Sequence, residues 1–147
     1  MKKIYLIEGD MVPLSRHRGG TKFYDAWAEA HMVFTNVIES QHMQDRPFKG
    51  PLAIQATFYL GYPDGMSLKR RTERDGCYYT NRPTLGALTK VIEDMCSGLL
   101  FEEPATIVSM SIEKRVSTHP RLTLLISEVE DAKRDGNEEK TPQRDDR

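Results

Sequence analysis

Residues 81–104, NRPTLGALTKVIEDMCSGLLFEEP, gather the side chains that can handle a phosphodiester. The apolar period Leu85, Leu88, Ile92 and Met95 predicts a helix that starts after Pro83 and ends at Ser97-Gly98. Lys90 is expected to face inward from it, and the acidic pair Glu102-Glu103 falls where the next strand should begin. Carboxylates and a lysine around a helix start suit Mg²⁺-dependent hydrolysis, in which hard oxygen ligands hold the ion and positive charge meets the phosphate. Plainer readings stand beside this one: Thr84 and Gly86 as an ordinary capped helix start, Glu102-Glu103 as a solvated turn.

Two basic clusters point the same way. Arg16, His17, Arg18 and Lys22 share one loop; Lys69, Arg70, Arg71 and Arg74 share another, with Arg82 just beyond it. Tyr24, Tyr62, Tyr78 and Tyr79 are interleaved with them. Phosphate backbones are met by repeated positive charges, and planar guanidinium forks suit them well. The alternative is a pair of solvated loops. Other chemistries have little support. No serine lies in a GxSxG context, no glycine-rich phosphate loop follows a strand, and His17, His31, His42 and His119 form no ligand pair. His31 reads as a core histidine on the first helix. Cys77 and Cys96, with no CxxC, read as free thiols in a reducing compartment.

The elements that must position these residues follow from periodicity. Residues 2–10 read as a strand ended by a Gly-Asp turn, and 24–43 as a long amphipathic helix with Asp25 as a possible cap. Leu52, Ile54, Ala56, Phe58 and Leu60 alternate with less apolar residues, which predicts a half-buried strand. Residues 61–82 carry little apolar content and are expected to form a long functional loop. Residues 106–116 and 121–129 read as strands joined by Ser117-Thr118-His119-Pro120. The order β–α–β–α–β–β gives an α/β single domain with a mixed β-sheet and two main helices.

At 147 residues, one domain is expected, here spanning 1–129. Residues 130–147 hold seven acids, five bases and a single apolar side chain, Ala132, and are expected to be a disordered charged tail. The formal net charge of −1 excludes a histone-like basic protein but leaves room for a basic face. No stretch reaches the length of a signal h-region or a membrane span, so an intracellular protein with no membrane partner is expected.

The shared order of these features resembles the RusA-like Holliday junction resolvases over residues 4–129. The resemblance rests on Pro83, Leu85, Leu88, Lys90, Ile92, Asp94 and Met95, then Gly98, Leu99, Phe101, Glu102 and Glu103, and a strand ending in Glu113-Lys114-Arg115. VPLSRHR with its following GG and FYD, FKGPLAIQATFYL and CYYTNRP match the family's other segments in order. The resemblance implies a small homodimer that cuts four-way DNA junctions with Mg²⁺, using a D-L-D pair, a later acid and a nearby lysine. Carried over, the lysine is Lys90 and the later acid Glu103, with Glu102 before it. The D-L-D pair falls on Thr84, Leu85 and Gly86, and the family's next Asn on Ala87.

Two carboxylates that the family would use for metal are therefore replaced. A threonine hydroxyl is a weak neutral donor and glycine offers none, so Mg²⁺ is a doubtful cofactor, with Glu103 and Glu102 the remaining candidates. Asp75 in the long loop and Asp94 on the helix are the acids weighed as substitutes. The resemblance implies a protein that binds branched DNA through Arg16, Arg18, Lys22, Lys69, Arg70, Arg71, Arg82 and Lys90, with weak or absent cutting. A working resolvase with substituted ligands and a non-catalytic protein-interaction module remain the other readings.

Overall fold

The computed structural model describes residues 2–9, 21–42, 46–62 and 65–130, and of 21–31 the backbone alone. The expected tail lies outside the described residues, Glu130 excepted. The chain runs through β1 (Lys2–Glu8), α1 (Thr21–His42), β2 (Leu52–Leu60), α2 (Leu68–Arg74), α3 (Leu85–Cys96), a 3₁₀ turn (Pro104–Thr106), β3 (Ile107–Val116) and β4 (Arg121–Glu128). These build one mixed four-stranded sheet in the order β1-β4-β2-β3, as the α/β reading expects. β4 runs antiparallel to β1 and to β2, whereas β3 runs parallel to β2.

The alternation read in β2 is the core pattern. Leu52, Ile54, Ala56, Phe58 and Leu60 are all buried, and their row continues into Leu122, Leu124 and Ile126 of β4 and Tyr5 and Ile7 of β1. α1 covers this face on the β1 side with Phe34 and Ile38; α3 covers it on the β3 side with Leu88, Val91, Ile92, Met95 and Cys96. The opposite face carries no helix among the described residues, and leaves Ile4 69% and Leu6 43% exposed.

Parallel strands cannot be joined by a tight turn, so the chain crosses from β2 to β3 through α3. The later link, residues 117–120, passes the end of β2, where Ser117 N–H donates to Leu60 O at 2.8 Å. β3 and β4 are thus consecutive in sequence but separated by β2 in the sheet.

α1 is stitched to β1 by polar contacts. Gln41 exchanges two hydrogen bonds with the Leu6 backbone, at 3.1 and 2.6 Å. His42, 6% exposed, lies 3.1 Å from Arg46 O through Nε2. A carbonyl only accepts, so Nε2 carries the proton and Nδ1 accepts from the Tyr5 hydroxyl at 2.6 Å.

Three details depart from expectation. Segment 61–82 is not wholly loop: α2 forms there with no buried residue, nucleated by Ser67, whose hydroxyl accepts from Arg70 N–H at 3.3 Å. Capping, not an apolar stripe, specifies it. α1 begins at Thr21, so Asp25 falls inside the helix rather than at its cap. Leu85 is 49% exposed despite its place on the apolar stripe of α3. Periodicity fixes a helix face, but not how far the covering layer extends along it.

Both cysteines are free, as read, and their settings are opposite. Cys77 is exposed; burial pushes the Cys96 thiol well above its ordinary value, so it stays protonated and unreactive. A thiol reagent should therefore label Cys77 alone in the folded protein and Cys96 only after denaturation, which mass spectrometry would read. Phe58→Ala, at the centre of the core, should cost about 3–5 kcal/mol in urea unfolding.

Candidate nucleic-acid interface

The crossover sets the N-terminus of α3 beside the C-terminal half of β3. Residues 76–79 extend the sheet: Val116 N–H donates to Cys77 O at 2.8 Å and Tyr79 N–H to Lys114 O at 2.9 Å. From that strand the Lys114 ammonium reaches Asn81 O and Pro83 O, both at 2.9 Å, and clamps the turn that leads into α3. Thr84 caps the helix, its hydroxyl accepting from Ala87 N–H at 3.2 Å. No acid stands in the first turn, and Arg82 is exposed just before it. A Cβ built on Gly86 would meet nothing nearer than Thr84 Oγ1 at 3.9 Å, so there is room for a side chain that the sequence does not supply.

Among the described residues, the acids and Lys90 singled out by sequence do not converge with the α3 start within one chain. Glu102 and Glu103 are exposed and precede β3, in the turn where Gly98 N–H donates to Phe101 O at 2.7 Å. That is the C-terminal end of α3. Thr84 and Gly86 are at the other end, about 18 Å away by the rise of a 12-residue helix. Lys90 does not face inward: its side chain is 75% exposed and lies 4.0 Å from Asp94. Asp75 does not swing toward the helix start either. Its carboxylate accepts from Thr118 N–H at 3.1 Å and from the Tyr62 hydroxyl at 3.2 Å.

These residues do not fit Mg²⁺ within a single chain. The ion's ligand oxygens sit about 2.1 Å from it, so carboxylates on one ion must lie within a few ångströms of each other. At the α3 start there is one hydroxyl, already used as a cap, and among the described residues no carboxylate in its first turn. Among the described residues no three His, Cys, Asp or Glu side chains group for a metal.

Lys69, Arg70 and Arg71 are presented on α2, and Lys69 and Arg70 are exposed. Arg71 packs over the Tyr62 ring at 5.9 Å. The Tyr62 hydroxyl also donates to Arg71 O. Desolvation first, then the Asp75 carboxylate, raises the Tyr62 phenol above its ordinary value and keeps it a neutral donor. Arg16 and Arg18 lie outside the described residues. Lys22 is in α1, its side chain outside them.

Sequence reasoning placed Lys114 and Arg115 at a strand end and Tyr78 among four interleaved tyrosines, but assigned none of them a role. Tyr78 is 60% exposed and forms an isolated antiparallel bridge with Arg115. The Arg115 guanidinium covers its ring at 4.5 Å from the centroid. That guanidinium is itself held by Gly76 O at 2.8 Å and the Glu113 carboxylate at 3.2 Å. Beside the ring opens a cleft of about 230 Å³ lined by Tyr62, Arg74, Tyr78, Tyr79, Asn81 and Val116 among others. The signals in the sequence were the tyrosine–arginine alternation and the strand end Glu113-Lys114-Arg115, and neither says which pairs stack.

The family model described as Endodeoxyribonuclease RusA matches residues 12–127. The chain is also 23% identical over 100 residues to the uncharacterized protein YqaN of Bacillus subtilis (strain 168), a match spanning 65% of this chain and 70% of that protein. The cap at the α3 start can be checked by itself. Thr84→Ala should lower stability by about 0.5–2 kcal/mol in urea unfolding. Thr84→Asp keeps an acceptor and adds negative charge at the helix start, so it should leave stability unchanged or raise it.

Proposed function

The chain belongs to the RusA endodeoxyribonuclease family, and on that premise we propose that it binds four-way or otherwise branched DNA as a homodimer while cutting it weakly or not at all. The observation that carries the reading is the start of α3. The family's metal chemistry needs carboxylates there, and the chain has Thr84 and Gly86. Losing ligands of this kind costs more than the roughly 10–100-fold lost with their supporting partners.

The same replacement makes the position favourable for an anion. Ala87 N–H goes to Thr84 Oγ1 and Leu88 N–H to Thr84 O, which leaves the N–H groups of Leu85 and Gly86 facing the helix start. Helix N-termini carry partial positive charge, and Gly86 has no side chain to keep a phosphate from the backbone. Arg82 and the Lys114 ammonium add full charges to the same region. In this reading a DNA phosphate is gripped directly, where a metal-using relative would hold it through the ion. Lys69, Arg70 and, from outside the described residues, Arg16, Arg18 and Lys22 would track the flanking phosphates.

A homodimer agrees with two further features. The helix-free face of the sheet carries Ile4 and Leu6, apolar surface that a second copy would cover. Glu103 and the α3 start lie at opposite ends of α3, and a second chain would bring such groups together.

The decisive assay incubates the purified protein with a four-way junction in Mg²⁺ or Mn²⁺ and scores binding and cleavage together. Tight, salt-sensitive binding with little or no cleavage is expected, and Glu103→Ala should leave that binding largely intact. Rapid symmetric nicking would instead establish a working resolvase with substituted ligands. Absence of salt-sensitive affinity for any DNA would point to a protein-interaction module. The double substitution Thr84→Asp with Gly86→Asp, for which the backbone has room, should raise Mn²⁺ affinity by on the order of 10–100-fold or more in a calorimetric titration.

A further inference from the structure

We propose that the cleft beside Tyr78 is a receptor for one unstacked DNA base, an inference that rests on the DNA-binding reading above. Tyr78 is presented as a stacking platform with one side taken. The Arg115 guanidinium lies 4.5 Å from its centroid, while 60% of the residue is exposed to solvent. The platform is fixed from below. Gly76 N–H donates to Val116 O and Tyr79 N–H to Lys114 O, at 2.8 and 2.9 Å, and Arg115 is tied to Gly76 O and Glu113. A base laid on the open side would complete an Arg115–Tyr78–base stack with no loop ordering, and an ordered platform loses little entropy on binding.

The cleft has the size and polarity for such a guest. Its volume of about 230 Å³ is below the roughly 300–1,000 Å³ of sites that take whole drug-sized molecules, which suits one flat ring system. Tyr62, Tyr79 and Val116 supply apolar walls. The Asn81 side chain makes no protein hydrogen bond among the described residues. Its amide offers a donor and an acceptor together, the combination that base edges present in return. Among the described residues that line the cleft there is no carboxylate, while Arg74 is one of them and Arg82 stands next to Asn81. The phosphates on either side of a bound base would meet these guanidinium groups. They favour a nucleotide over a neutral aromatic ligand.

The placement also supplies selectivity. A base inside a duplex is paired and stacked on both faces, so it cannot enter. Bases at a branch point, a gap or a single strand can. Because the cleft is contiguous with the Asn81–Pro83 turn held by Lys114, a strand gripped at the α3 start passes within reach of it.

The test measures affinity by fluorescence anisotropy for an oligothymidine strand, the same strand with its bases removed, and a plain duplex. Base stacking on an aromatic side chain predicts that Tyr78→Ala weakens oligothymidine binding by roughly 5- to 150-fold, while Tyr78→Phe retains it. Binding of the abasic strand and of the duplex should not change. Asn81→Ala should also weaken oligothymidine selectively. Thermal melting of each variant shows that the fold persists, and Tyr78→Phe keeps the comparison valid should Tyr78→Ala prove unstable. Equal losses on base-containing and abasic strands, or no loss on either, would overturn the base site while leaving DNA binding intact. If the unaltered protein binds a four-way junction but not oligothymidine, the base site falls and the DNA-binding reading stands; if it binds neither, both fall.

Discussion

Parallel pairing of β2 with β3 is the constraint on which the rest of the molecule depends. Parallel neighbours need a crossover, so α3 must run the length of the sheet, antiparallel to both strands it joins. Its N-terminus then lands at the C-terminal ends of those strands, beside Lys114 and the 76–79 extension. Its C-terminus lands at their beginnings, beside Phe101 and the acidic pair. One topological fact thereby gathers cations, tyrosines and a helix start at one end of the sheet and sends Glu102 and Glu103 to the other.

The chemistry open to that end follows from what it lacks. With carboxylates at positions 84 and 86, positive neighbours would help hold a metal–phosphate pair. With a capping hydroxyl and a bare backbone there, the same neighbours would, in the proposed reading, meet a phosphate with nothing between. Two of the three Lys114 N–H donors go to carbonyls, so its main part is to shape the turn and raise the local potential. The exposed Arg82 is the freer charge. In the proposed interface the aromatic cleft next door would add a neutral contribution that salt does not screen, so its two halves would respond differently to ionic strength.

Much of this was legible in the sequence where one residue's neighbours along the chain decide its state. The alternation in β2 gave its buried row, Leu52 to Leu60, residue by residue. The order of elements led to the sheet class, and the ordered motifs led to the family. What depends on contacts between distant segments was not legible. Nothing local says that β2 inserts between β3 and β4, because strand order is decided by which faces meet. Lys90 was expected to face inward from its motif position, yet one helical turn links it to Asp94 and to solvent. α2 was hidden because a seven-residue helix held by a serine cap has no apolar period to read. Arg115 and Tyr78 come together only because residues 76–79 add to the edge of β3.

The central claim is that this chain holds phosphate without an intervening metal ion. Its most direct test is the affinity for a four-way junction measured with chelator present and again with Mg²⁺, at matched ionic strength and over a range of salt. The account predicts equal affinity in both conditions, falling steeply as salt rises. Binding that appears only with Mg²⁺ and vanishes with chelator would contradict it.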